Sequence, residues 1–218
     1  MITLAEENYL KGILGIILKT NKRASTNSIA NEICTTPASV SDMLKKLQQK
    51  KLINYKKYHG VSLSARGKGI AISVIRKHRL WETFLVKKLH FNWEEVHDLA
   101  EQLEHIKSKN LINKLDAFLD YPKFDPHGEP IPAENGELPF SNTIPLNEIK
   151  LKAKGKVMGV TIDKKSFLQY LTKLNIKIGT NIELLEKISF DQSLIINIDD
   201  TNTHISNDVA KYLLIKTK

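Results

Sequence analysis

Residues 25–63, STNSIANEICTTPASVSDMLKKLQQKKLINYKKYHGVSL, decide the fold of the N-terminal part of this 218-residue chain. Ser25 is a suitable N-cap for a short helix. Thr36 followed by Pro37 can open a second helix, which the apolar spacing extends to about Lys50. The stretch therefore predicts two helices joined by a short turn.

A β-hairpin follows these two helices, and another helix precedes them. Apolar runs on both sides of His59-Gly60 are typical of hairpin strands, and a Thr3/Glu6 capping box starts an amphipathic first helix. The order of elements predicts a winged helix-turn-helix over residues 1–64. Its third helix and its hairpin would present polar and basic side chains to double-stranded DNA, although such side chains also occur on ordinary solvated surfaces. The candidate DNA contacts are Thr36, Ala38, Ser39, Ser41, Lys45 and Lys46 on the helix and Lys56, Lys57 and Tyr58 on the hairpin.

The net charge of +9 is unevenly distributed along the chain. Residues 1–92 contain 17 basic and 5 acidic side chains, whereas residues 93–148 contain 4 basic and 12 acidic ones. This pattern favours a polyanionic partner at the N-terminal end and a cation in the middle. The single cysteine, Cys34, excludes an internal disulfide, and no apolar run approaches the roughly 18 residues that cross a bilayer. We expect a cytoplasmic protein without a membrane partner.

The rest of the chain indicates a mainly α fold with a small β component. Helical periodicity from Ser64 to about Leu89, followed by two shorter helices, predicts a helical region over 65–120 whose broad apolar coverage favours a homodimer. Six of the seven prolines lie between residues 121 and 145, which predicts an irregular linker over 121–148. Short apolar runs over 149–218 predict a small, barrel-like β domain.

The stretch 96–105, VHDLAEQLEH, is the clearest sign of chemistry. On a continuous helix, His97, Glu101, Glu104 and His105 would share one arc, and the apolar residues would lie roughly opposite. Two further pairs of metal-ligand residue types are His78 with Glu82, at helical i, i+4 spacing, and Asp125 with His127. We interpret these groups as candidate metal ligands, although each pair alone is also common in purely structural roles.

Two competing functions remain open at this point. A winged-helix regulator could carry the same carboxylates without binding metal. A metallohydrolase is less favoured because the chain has no HExxH motif and no complete phosphate-binding loop, so we do not expect an enzyme.

Five segments together resemble the DtxR/MntR family of iron- and manganese-dependent repressors. They are EENYL at 6–10, RKHRLWE at 76–82, HDLAEQLEH at 97–105, FDPHG at 124–128 and LNIKIGTNIE at 174–183. The resemblance implies a DNA-binding winged helix-turn-helix, a helical metal-binding and dimerisation domain, and a C-terminal SH3-like β-barrel of the FeoA type. The last segment carries the likeness to the FeoA module.

The resemblance also implies the metal ligands. The principal site would use Glu101, Glu104 and His105 with the first-helix position occupied here by Asn8. The family usually has Asp or Met there, so Asn8 is a departure, and Glu7 is a possible substitute. A second site would use either His78, Glu82 and His97 or Glu82, Asp125, His127 and Asp163, and the sequence contains both sets.

The candidate ligands also predict the metal. Iron-responsive members commonly have Cys where this chain has Glu101, and here every candidate donor is oxygen or imidazole nitrogen. Such donors favour Mn²⁺, with Fe²⁺ possible, over a thiolate-rich Zn²⁺ site. The resemblance implies a repressor of metal-uptake genes in which metal binding fixes the first helix relative to the dimerisation helix. Without metal, we expect the carboxylates to repel one another and leave the first helix unrestrained.

Overall fold

The structure is a computed structural model that describes residues 2–56 and 59–217. The chain divides into two compact units. The first comprises the described residues up to His78 together with Glu101–Asn113 and Pro132–Glu137; the second comprises Arg79–Ala100, Lys114–Ile131 and the described residues from Leu138 onward. None of the helices within the described ranges is long and apolar enough to cross a membrane.

Three helices and a hairpin open the chain, in the predicted order. They are α1 (Leu4–Thr20), α2 (Thr26–Glu32), α3 (Pro37–Gln49), β1 (Ile53–Lys56) and β2 (Gly60–Leu63). The caps are those that the sequence predicts: Thr3 and Glu6 form a capping box at α1, and the Thr36 hydroxyl accepts a hydrogen bond from Ser39 N. The predicted hairpin contacts Lys57 and Tyr58 lie outside the described residues.

The core of the first unit fixes α1 against α3. Leu10 and Ile13 of α1 and Leu44 and Leu47 of α3 are fully buried in one apolar cluster. This cluster fixes the position of α1, whose first turn carries Glu7 and Asn8, relative to α3.

Three helices follow the hairpin: α4 (Ala65–Leu89), α5 (Val96–Leu103) and α6 (Lys109–Phe118). Helix α5 is shorter than the sequence suggested, because it ends at Leu103. Glu104 and His105 therefore lie in the turn after the helix, and the expected four-ligand arc on one helix is wrong. Val96 and Ala100, on the predicted apolar face, are buried.

The C-terminal part of the second unit is a six-stranded antiparallel sheet. Its elements are β3 (Ile144–Pro145), β4 (Lys154–Val160), α7 (Lys165–Lys173), β5 (Asn181–Lys187), β6 (Leu194–Ile198), β7 (Thr201–Ile205), α8 (Asn207–Ala210) and β8 (Leu213–Thr217), with a 3₁₀ turn at Leu146–Glu148. The strand order is β3-β8-β4-β5-β6-β7. The outer strands β3 and β7 do not pair, so the described residues form an open sheet and not the closed barrel that we expected. Pro145 is tolerated in β3 because this is an edge strand.

Candidate metal centres

The first cluster of ligand-type side chains lies within the first unit and joins α1 to the end of α5. Lys11 Nζ forms ion pairs with both Glu101 and Glu104, at 2.8 Å from Glu104 Oε2. His78 Nδ1 of α4 lies 2.6 Å from the same Glu104 oxygen. Glu104 is fully buried, whereas the Glu101 side chain is one-third exposed. The cluster thus contains two of the predicted principal ligands and a lysine that the sequence did not indicate.

Glu7 and His105 extend the same cluster. Glu7 Oε2 lies 2.6 Å from His105 Nδ1, and His105 Nε2 lies 3.8 Å from Glu104 Oε1. Glu104 Oε1 is a buried oxygen without a hydrogen-bond partner in the part of the chain that the structure describes, and so is Oδ1 of Asn8, the residue of α1 that follows Glu7. Buried polar atoms are nearly always paired, so the lone Glu104 oxygen beside the His105 imidazole fits a site for a cation with hard ligands.

Electrostatics keep the Glu104 carboxylate charged. Burial alone would raise the pKa of Glu104, but the hydrogen bond with His78 and the charge of Lys11 outweigh burial and hold this pKa below its usual 4.5. Lys77, the neighbour of His78 on α4, is also buried. Burial lowers the pKa of Lys77, while the charges of Glu7 and Glu104 act in the opposite direction. The carboxylates of this cluster therefore have two lysines as counter-charges.

A second cluster lies within the second unit and is wholly buried. Glu82 of α4, Asp125 and His127 place one ligating atom each within 4.8 Å of one another. Asp125 Oδ1 accepts hydrogen bonds from the backbone N–H groups of His127 and Glu129, at 2.8 and 2.9 Å. Its other oxygen, Oδ2, is buried without a hydrogen-bond partner among the described residues. The turn thus fixes Asp125, and its Oδ2 lies 3.7 Å from Arg79 Nε, an ion pair without a hydrogen bond.

Burial perturbs the pKa values of this cluster. Burial, reinforced by the charge of Glu82, raises the pKa of Asp125 to about 7. Burial alone would lower the pKa of His127, but its interactions with Glu82 and Asp125 raise that pKa to about 9. The His127 ring stacks on Trp93, and its Nε2 lies 2.8 Å from the Trp93 carbonyl oxygen. The imidazole is therefore held in one orientation, with Nδ1 3.5 Å from Glu82.

The two alternative second sites overlap at Glu82. His97 Nδ1 lies 3.6 Å from Glu82 Oε1 and 3.4 Å from Asp163 Oδ2, while His127 approaches the other oxygen of Glu82. Asp163 follows β4 and is exposed. Glu82, which the sequence placed in both alternative sets, thus lies within 4 Å of a histidine from each set in the second unit. His78, the remaining member of the first set, belongs to the first unit, where it contacts Glu104.

Most of the predicted DNA contacts on α3 are exposed, namely Thr36, Ala38, Ser39, Lys45 and Lys46. Ser41 differs, because it is half-buried and its hydroxyl donates a hydrogen bond to the Pro37 carbonyl at 2.9 Å. Lys45 forms an ion pair at 3.0 Å with Asp42, an exposed acidic residue of the same helix. The exposed face of α3 is therefore basic and polar, and it includes one carboxylate.

Comparison with protein-family models covers most of the chain. Residues 1–61 match the iron dependent repressor N-terminal DNA binding domain, and residues 64–133 match the iron dependent repressor metal binding and dimerisation domain. Residues 144–217 match the FeoA domain. These three models follow one another in the order that the resemblance implied.

Individual relatives agree with the domain models. The HTH-type transcriptional regulator MntR of Oceanobacillus iheyensis is 32% identical over 125 residues, which are 57% of this chain and 84% of that protein. A probable metal transport system membrane protein of Chlamydia trachomatis is 43% identical over 74 residues, which are 34% of this chain and only 16% of that protein. The chain thus spans most of the first relative and about one-sixth of the second.

A solved structure described as a manganese-dependent transcriptional repressor in complex with manganese matches over nearly the whole chain. Its TM-score is 0.89 at 29% sequence identity, covering 98% of this chain and 100% of the other. The N-terminal elements, the helical region and the six-stranded sheet therefore all have counterparts in one repressor. The chain belongs to the DtxR/MntR family of metal-dependent transcriptional repressors.

Proposed function

We propose that this chain is a homodimeric repressor that binds operator DNA when it holds Mn²⁺ and thereby controls metal-uptake genes. The observation that carries the proposal is the first cluster, where Lys11 and Glu7 of α1 contact Glu101, Glu104 and His105, and where Glu104 Oε1 is buried without a hydrogen-bond partner in the described chain. The proposal places the protein with DNA in the cytoplasm. Fe²⁺ is the alternative metal, because the same donors also suit it.

The proposed principal ligands are Asn8, Glu101, Glu104 and His105, with Glu7 as a further candidate. A bound Mn²⁺ would supply a divalent charge that neutralises the carboxylates and joins them to α1. The donors are carboxylate and amide oxygens and imidazole nitrogen, and the single thiol, Cys34, lies between α2 and α3. Such donors suit Mn²⁺ or Fe²⁺ at five to six coordination and differ from those of a thiolate-rich tetrahedral Zn²⁺ site.

The second proposed centre uses Glu82, Asp125 and His127, with His97 and Asp163 at its edge. Because Glu82 approaches both histidines, we propose one centre in place of the two alternatives. Its charged groups are buried, and a carboxylate with a raised pKa gains from a nearby cation.

The N-terminal elements connect the first cluster to the proposed DNA surface. We interpret α2, α3 and the β1–β2 hairpin as a winged helix-turn-helix with α3 as its recognition helix. Lys50, at the C-terminal end of α3, forms an ion pair with buried Glu6 at 2.7 Å, and Glu6 immediately precedes Glu7 on α1. This ion pair and the shared apolar core would therefore couple the position of the start of α1 to the position of α3.

The finer architecture is also part of the proposal. Residues 1–64 would form the DNA-binding domain, 65–120 the metal-binding and dimerisation domain, 121–148 the linker and 149–218 an SH3-like domain. Exposed apolar side chains on α6 and after it, such as Phe118 and Tyr121, are suited to an interface between two copies.

DNA-binding assays at controlled metal concentration test the proposal. Binding of the full chain to its own promoter region is measured by fluorescence anisotropy with Mn²⁺, Fe²⁺, Zn²⁺ or chelator. We expect Mn²⁺ to tighten binding by about 5–150-fold, the usual range of allosteric coupling. Glu104→Gln should remove most of this gain, whereas Glu32→Gln, at an exposed acid on α2, should keep it.

Two outcomes contradict the proposal. Equal DNA affinity with Mn²⁺ and with chelator, and no heat on calorimetric titration with Mn²⁺ or Fe²⁺, would favour a metal-independent winged-helix regulator. Thermal unfolding of Glu104→Gln with chelator separates loss of metal response from loss of folding, because a misfolded variant loses its cooperative transition.

A further inference from the structure

Lys11 of α1 lies in the first cluster, and its ion-pair partners there are far from it in sequence. Its ammonium group pairs with Glu101 and Glu104, which lie 90 and 93 residues further along the chain. The Lys11 side chain is only 19% exposed, and Glu104 is fully buried. Lys11 thus forms ion pairs with the same two carboxylates that the proposed function assigns to the metal ion.

The two oxygens of Glu104 have different surroundings. Oε2 is 2.8 Å from Lys11 Nζ and 2.6 Å from His78 Nδ1, whereas Oε1 is buried and has no hydrogen-bond partner among the residues that the structure describes. One side of the carboxylate is thus satisfied by cationic or polar side chains of the protein. On the other side, His105 Nε2 lies 3.8 Å from Oε1, too far for a hydrogen bond, so this oxygen can accept a ligand from outside.

The lysines of the cluster neutralise part of the negative charge of its carboxylates. Glu7, Glu101 and Glu104 contribute three carboxylates, and Lys11 and buried Lys77 contribute two ammonium groups. Leaving a buried carboxylate without a partner is strongly destabilising. Lys11 therefore stabilises an arrangement that would otherwise be held apart by repulsion.

We propose that Lys11 is a tethered cation that competes with the metal ion for Glu101 and Glu104 and so sets the metal concentration at which the first cluster fills. A divalent ion that binds both carboxylates approaches the ammonium group, and the two positive charges repel. The lysine side chain is long and flexible, so its ammonium group can move into solvent when the ion enters. This inference rests on the proposed function and adds a residue that tunes it.

Lys11 also changes how we expect α1 to be held when no metal is bound. The sequence suggested an unrestrained first helix and mutually repelling carboxylates. Lys11 instead links α1 to the end of α5 through its two ion pairs, as does Glu7 through His105. Metal binding would then replace a monovalent, reversible link between the same elements with a stronger one.

Calorimetric titration of the chelator-treated full chain with MnCl₂ tests this competition. Four proteins are compared: the parent chain, Lys11→Met, Lys11→Arg and Lys19→Met. Lys19 is the matched control, because it lies on the same helix, is exposed and pairs only loosely with Glu32 at 3.8 Å. We expect Lys11→Met to bind Mn²⁺ about tenfold or more tightly than Lys19→Met, since the repulsion is gone. Lys11→Arg, which keeps the charge, should not show this gain.

Thermal unfolding with chelator provides the second readout. Lys11→Met should unfold at a lower temperature than Lys11→Arg, because buried Glu104 loses a counter-charge, and added Mn²⁺ should stabilise Lys11→Met more than the parent chain. Equal or weaker Mn²⁺ binding by Lys11→Met than by Lys19→Met would overturn the inference, as would equal tightening by Lys11→Arg. In those cases Mn²⁺ still binds the parent chain and the proposed function stands. If the parent chain itself binds no Mn²⁺, both fail.

Discussion

Replacing Gly128 with alanine should displace the loop that carries Asp125 and His127. Gly128 has φ +82°, and a Cβ atom added there would lie 1.9 Å from the Met158 carbonyl oxygen, where ordinary contact begins at 3.4 Å. Alanine at such a φ costs about 1–2 kcal/mol on its own. Because the close atom belongs to the backbone of β4, relief requires the loop and the strand to separate, which adds about 1–3 kcal/mol.

Gly179→Ala is the matched control, since Gly179 has φ +94° and its added Cβ would have no atom of the described residues within 4 Å. Both variants carry the backbone penalty, but only Gly128→Ala carries the clash. For a chain of this size 1 kcal/mol lowers the unfolding temperature by about 2–4 °C, so a clash of about 1–3 kcal/mol should make Gly128→Ala unfold roughly 2–12 °C below Gly179→Ala. Differential scanning calorimetry with chelator measures the difference. Equal unfolding temperatures would refute the packing of this loop against β4.

Three further predictions follow from single contacts. Gly67→Ala should destabilise the first unit by at least about 2 kcal/mol in urea titrations, because the added Cβ would lie 2.0 Å from the Leu52 carbonyl oxygen. Gly69→Ala is the control and should be neutral or stabilising, because no atom of the described residues lies within 4 Å of its added Cβ. Lys50→Met should reduce the Mn²⁺-dependent gain in DNA affinity at unchanged Mn²⁺ affinity, because it breaks the ion pair with Glu6; Lys51→Met, which removes a neighbouring charge, should keep that gain. With chelator, the free energy of unfolding should fall by about 3 kcal/mol as pH rises from 6.5 to 9, since the His127 pKa is raised to about 9 and its stabilising charge is lost across that window. His127→Gln should flatten this pH dependence, and an equally steep fall in that variant would contradict the assignment.

Local signals were sufficient to predict most of the elements. The helix starts at Thr3, Ser25 and Thr36 depend on caps within three residues, so the sequence contains all the information needed. The end of α5 at Leu103 was missed, because the continuing pattern of ligand-type residues was read as helix and no glycine marks the stop. The open sheet was missed for another reason: closure depends on whether the first and last strands pair, and strand periodicity does not report this.

The candidate sites show the same division between local and long-range information. Glu101, Glu104 and His105 could be selected because they are close in sequence and match the family pattern. Lys11 could not, because it meets its partners from about 90 residues away and a lysine on an amphipathic helix is usually solvated. The sequence already placed Glu82 in both alternative second sites, but it could not show that His97 and His127 approach different oxygens of this carboxylate from separate segments.

Glu104 is a buried charge at a position where an apolar residue would pack without any cost of desolvating a carboxylate. Removing a carboxylate from water is unfavourable, and Lys11 and His78 offset only part of this free energy because both contact the same Glu104 oxygen. The other oxygen has no hydrogen-bond partner among the described residues, as is also true of Asn8 Oδ1 on the facing helix. Under the proposed function, a metal ion bound to Glu104 Oε1 would supply the interaction that this oxygen lacks. Ligands to the same ion from α1 would then hold this helix against the turn after α5, which is how the proposal links metal binding to the position of the first helix.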